Sequence, residues 1–92
     1  MRIIGRIPHP LMQISVFATD GRFPVQFELG GQAQIYRFRQ SEQLRGLDDL
    51  RSLLDDDFLR EVLVQFTAMQ RMQARLLPGA EADAAADFPE II

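Results

Sequence analysis

From residue 11 to residue 39 the chain alternates apolar with polar positions, and from residue 47 to residue 76 its apolar positions return every three or four residues. The first period is that of half-buried strands, the second that of helices with one face in a core. A short β-prone run, Ile3–Ile7, precedes both, and Pro8-His9-Pro10 ends it, because two prolines around one residue hold the backbone extended and exclude helix. Residues 11–18 read as a strand. Asp20-Gly21 is a favoured two-residue hairpin turn. It leads into a strand over 22–29 with Phe23, Val25, Phe27 and Leu29 on one face. Gly30-Gly31 repeats the signal ahead of a strand over 32–39.

The two turns predict a register. A two-residue turn at 20–21 pairs residues whose numbers add to 41, which sets Ala18 opposite Phe23, Val16 opposite Val25, Ile14 opposite Phe27 and Met12 opposite Leu29. A turn at 30–31 pairs numbers adding to 61, which brings Tyr36 to Val25 and Phe38 to Phe23 and sends Ile35 outward. A one-residue slip would turn a whole strand over, so the expectation is a sharp one. Pro24 is the discordant residue. It has no N–H for the ladder, and a bulge or a lost bond is expected near the first hairpin.

After Arg39 the period changes. Leu47, Leu50, Leu53 and Leu54 predict a short helix of about two turns. Asp55-Asp56-Asp57 opens a longer one over 56–77, since acids in a first turn satisfy free N–H groups and the positive end of the helix dipole. Its apolar stripe is Leu59, Val62, Leu63, Phe66, Met69, Met72 and Leu76, and Pro78-Gly79 stops it. Such a helix is ~33 Å long at 1.5 Å per residue, against ~26 Å for an eight-residue strand, so it is expected to cross the sheet obliquely and overhang it. The expected fold is α+β: an antiparallel meander of three or four strands, a short helix, then a long C-terminal helix on one sheet face. Residues 1–77 form the single domain and residues 78–92 an acidic, flexible tail, ending in the apolar Phe88-Pro89-Glu90-Ile91-Ile92. The predicted core sets Ile14, Val16, Val25, Phe27, Tyr36 and Phe38 against Leu59, Val62, Leu63, Phe66 and Met69.

Composition narrows the chemistry. The absence of cysteine excludes disulfides, thiolate catalysis and cysteine-based zinc sites, and fits a cytoplasmic location. No lysine is present, so Schiff-base chemistry is excluded and all ten basic residues are arginines with planar fork donors. No window is apolar enough for a membrane span, and the N-terminus lacks the pattern of a secretory signal. The net charge of −3 divides unevenly: residues 1–45 hold six arginines against three acids, and residues 46–92 hold four against ten.

No motif points to catalysis, a cofactor or a metal. His9 is the one histidine, without cysteine or a second histidine for a metal site or relay. Ser15 and Ser41 are hydroxyls without a recognisable base. Asp48-Asp49 and Asp55-Asp56-Asp57 lack the alternating ligands and central glycine of a calcium loop and suit helix capping instead. Gly30-Gly31 lacks the Lys-Ser/Thr of a phosphate loop.

The outer sheet face is the informative surface. The register places Leu11, Phe17, Pro24 and Ile35 there among Gln13, Ser15, Gln26, Glu28, Arg22, Arg37 and Arg39, whereas a solvated sheet face is normally polar. The chain is therefore read as a non-enzymatic protein-interaction or oligomerisation module, with a protein partner or a second copy as a homodimer. Leu11, Phe17, Pro24, Ile35, Arg37 and Met72 are its candidate contact residues, Met72 because the helix overhangs the sheet. The first strand or the tail folding over the face is the competing explanation. The alternative function is single-stranded nucleic-acid binding through Arg22, Arg37 and Arg39, near Phe17 and Tyr36. The order of four strands and a helix resembles that of PUR-type single-strand binders, although no motif of that family is present.

Overall fold

The structure, a computed structural model, describes residues 1–76; the expected tail lies outside the described residues. Four strands form one antiparallel sheet in chain order: β1 (Arg2–Ile7), β2 (Gln13–Ala18), β3 (Arg22–Leu29) and β4 (Gln32–Arg39). Two helices follow, α1 (Leu47–Leu53) and α2 (Asp56–Leu76). The fold is the expected α+β arrangement, with the helices on one face of a four-stranded meander.

The predicted register holds. Val16 pairs with Val25 and Ile14 with Phe27. Val25 pairs with Tyr36, Phe23 with Phe38, and Gln26 with Ile35. In the second turn Gly30 and Gly31 both take positive φ, 55° and 82°. That conformation suits the right-handed strand twist and is nearly restricted to glycine. In the first turn only Gly21 does so (φ 75°), and Asp20 keeps an ordinary backbone. The turn is closed by Thr19 and Arg22, each donating its N–H to the other's carbonyl, at 3.0 and 3.3 Å.

Pro24 loses a bond and keeps the register. The continuous β2–β3 pairing ends at Val16↔Val25 and resumes only at Thr19↔Arg22. By the alternation of bonded and non-bonded pairs, the missing donor falls opposite Phe17. No bulge forms there. The bulge sits in β1, between Ile3 and Gly5, where the pairing with β2 shifts by one. β1 extends the sheet as an edge strand and does not fold across its outer face. Residues 11 and 12 also fall outside the expected strand, which begins at Gln13. Leu11, expected on the outer face, instead packs against the core.

The core lies between the sheet's inner face and the helices. Met12, Ile14, Val16, Phe23, Val25, Phe27 and Leu29 face Leu44, Leu50, Leu54, Val62 and Phe66, all buried. Phe58, from the first turn of α2, meets the rings of Phe27, Tyr36 and Phe38 with centroids 6.0, 5.5 and 6.5 Å away. These tilted and edge-on aromatic contacts fix the helix over β3 and β4. Asp55 starts α2 by accepting the Phe58 N–H at 2.8 Å, an N-cap of the expected kind. Asp49 accepts the Arg45 N–H at 2.8 Å ahead of α1.

Polar contacts give the direction of α2. The Gln34 amide donates to the Val62 carbonyl at 3.0 Å, and Gln32 donates to Gln73 at 2.9 Å. Tyr36 donates to Gln34. Phe58 thus lies by Phe38 while Gln73 lies by Gln32, so α2 runs against the direction of β4 and passes its end. The buried part of the predicted stripe stops near Met69, and Met72 and Leu76 are 63% and 80% exposed.

Gly5 leaves room for the Leu47 side chain of α1, because a Cβ there would lie 2.5 Å from Leu47 Cδ2 at the end of that side chain. Replacing Gly5 by valine should destabilise the fold by about 1–3 kcal/mol through overpacking. Phe27→Ala should cost about 3–5 kcal/mol, while Ile35→Ala stays within about 0.5 kcal/mol. Urea unfolding followed by circular dichroism measures all three.

Candidate interaction face of the sheet

The side chains that alternate away from the helices form cross-sheet rows, two of which span all four strands. One runs Ile3, Phe17, Pro24, Arg37 and the other Arg6, Ser15, Gln26, Ile35. The step from Phe17 to Pro24 follows from the register on either side of it. Ile3 and Ile35 are each 48% exposed and stand on opposite edge strands. Phe17 is half-buried and is not among the residues packed on the core. Ser15 and Pro24, in the central strands, are buried between the side chains of their rows. Among the described residues no second layer covers this face.

Its charge is one-sided. Arg6, Arg22, Arg37 and Arg39 are exposed on it, with Glu28 as the one acid among the described residues and Asp20 in the adjoining turn. Arg22 and Arg39 stand directly opposite each other. Such a like-charged cross-strand pair is unfavourable by itself. The ion pairs among the described residues join Arg45 to Asp49, Arg51 to Asp48 and Arg60 to Asp57, all in and beside the helices. None involves an arginine of the sheet face. The guanidinium groups there remain available as fork donors for carboxylates or phosphates.

The structure therefore brings Phe17, Pro24, Ile35 and Arg37 together, with Arg22 and Arg39 at one end. It separates Leu11, which packs on the core, and Met72, which lies on α2. Tyr36 faces the helix and is no part of this surface. Sequence reasoning missed Ile3 and Arg6, because a bulge in β1 breaks the parity that a turn could have supplied. The tail, whose folding over the face was the competing explanation, lies outside the described residues.

The other chemical candidates take structural roles. His9 Nδ1 accepts the N–H groups of Leu11 and Met12 at 3.1 and 3.2 Å, holding the turn between β1 and β2. Asp55 caps α2 and Asp49 accepts the Arg45 N–H ahead of α1, and among the described residues no group of three or more His, Asp or Glu is placed to hold a metal. No described helix is long and apolar enough to cross a membrane. The surface depressions, such as the one lined by Arg2, Thr19, Asp20 and Gln40, are open to solvent.

Comparison with protein-family models, with curated proteins and with solved structures finds no match to the chain.

His9→Ala should remove the acceptor of two backbone donors in a partly buried turn. The expected loss is about 1 kcal/mol, read as a lowered urea midpoint, with the outer-face amide resonances unmoved in an NMR spectrum.

Proposed function

We propose that this chain is a non-enzymatic protein-interaction module, acting in the cytoplasm, whose outer sheet face binds an acidic segment carrying bulky apolar side chains. The observation that carries this reading is the make-up of that face. Ile3, Phe17 and Ile35 are partly exposed beside Arg6, Arg22, Arg37 and Arg39, none of which has an acidic partner among the described residues. Apolar anchors would gain from leaving water, at roughly 25 cal/mol per Å². Carboxylates of the partner would answer the arginines in bidentate pairs and relieve the Arg22–Arg39 repulsion. Two copies stacked through this face would have only Glu28 of each, among the described residues, to answer four arginines, so an acidic partner fits it better than a second copy.

Single-stranded nucleic acid is the second reading, favoured by the cluster of Arg22, Arg37 and Arg39. Two features weigh against it. Among the described residues Phe17 is the one aromatic side chain on the face for bases to stack on, and the chain carries a net charge of −3, poor for attracting phosphates.

Fluorescence anisotropy of the full chain separates the readings, with three probes: an acidic peptide bearing Phe and Ile, its alanine-substituted counterpart of equal charge, and mixed-sequence single-stranded DNA. The first should bind, weakening with salt, and Ile35→Asp or Arg37→Glu should each reduce affinity about tenfold. A preference for DNA would establish the second reading. Absence of binding to all three would refute both.

A further inference from the structure

The face of α2 turned away from the sheet has a pattern of its own. Asp57, Glu61, Val64, Ala68, Arg71 and Arg75 are all exposed. They follow one another at alternating steps of four and three residues, the repeat that lines the seam of paired helices. Val64 is 63% exposed, a large apolar group on the side of the helix that the core leaves unused.

Read along the helix, the seam is acid, acid, apolar, apolar, base, base. Read backwards it is its own complement. Asp57 with Arg75, Glu61 with Arg71 and Val64 with Ala68 all have numbers adding to 132. A second α2 laid antiparallel along the first would place each acid opposite a base, and a two-fold axis would form every pair twice. Val64 and Ala68 would meet at the centre, where the small alanine permits the ~8–10 Å approach of packed helices. Parallel pairing would oppose acid to acid and base to base, and it would align the two helix dipoles unfavourably. Glu61, Arg71 and Arg75 take part in no ion pair among the described residues, and Asp57 is held only by exposed Arg60, at 3.0 Å.

We infer that the chain self-associates through α2, a second copy packing antiparallel along the seam from Asp57 to Arg75. This site lies on the opposite side of the molecule from the sheet face and leaves that face open in both copies. A dimer would then present two such faces and gain avidity for a partner with repeated segments. A single helix pair is smaller than the ~1,200–2,000 Å² of standard interfaces, so the dimer is a weak one, governed by concentration and salt.

Sedimentation velocity of the full chain over a concentration series tests the inference. The expected result is a monomer–dimer equilibrium that moves towards monomer as salt rises. Glu61→Arg and Arg71→Glu should each weaken the dimer about tenfold by opposing like charges, and the double variant, with the charges exchanged, should restore it. All three alter exposed positions, so thermal melts should match the natural chain. The chain has no cysteine, so introduced thiols report cleanly. A mixture of D57C and R75C should form a disulfide-linked dimer, and D57C alone should not, because antiparallel pairing holds the two residues 57 about 27 Å apart. A monomer at every concentration, a double variant as weak as the single ones, or cross-linking of D57C by itself would each overturn it. The peptide-binding assay for the sheet face is independent of all these results.

Discussion

Two tight turns decide which way every residue of β2, β3 and β4 faces, and the rest of the molecule depends on that choice. Strand side chains alternate, so a turn of fixed length couples the parity of one strand to that of the next. Glycine at 21, 30 and 31 supplies the positive φ that such short connections require. With parity set, Val25, Phe27, Tyr36 and Phe38 lie on one side, where Phe58 and the buried stripe of α2 close over them. Phe17, Ile35 and Arg37 are thereby left on the other. The core and the exposed sheet face are two consequences of one geometric constraint.

The meander was legible because each of its strands meets a turn of recognisable chemistry. Even the lost bond at Pro24 could be foreseen from proline's missing donor, and parity survived it because one absent hydrogen bond does not add a residue to the strand. β1 was legible only as a β-prone run. It joins β2 through Pro8-His9-Pro10 and the following residues, a connection whose length transmits no parity, and its bulge at Ile3–Gly5 reverses which side its residues face. Ile3 and Arg6 were therefore invisible as members of the outer face. Leu11 was misplaced for a related reason: alternation was extended two residues too far, into a turn that His9 organises by accepting two backbone N–H groups. The part played by Phe58 was hidden as well. It stands four residues before Val62, on the face of the stripe itself, and was missed because the stripe was begun at Leu59, one residue too late.

Charge separates the two surfaces the fold leaves open. The sheet face is basic and carries apolar groups, whereas the seam of α2 balances its acids and bases along its length. In the proposed reading the first takes an acidic partner, and the second pairs with a copy of itself in one orientation only. This division was not readable from net charge, which sums the two surfaces into a single small number. It follows from placing each arginine and each acid on a particular face, which only the register and the helical repeat can do.

Proton–proton contacts in the NMR spectrum of the full chain test the central claim most directly. The account predicts cross-strand backbone contacts between Val25 and Tyr36 and between Gln26 and Ile35, ring contacts from Tyr36 to Phe58, and no contact from the Ile35 methyl groups to α2. Contacts joining the Ile35 methyl groups to Phe58 or Val62, with the Tyr36 ring free of the helix, would contradict it.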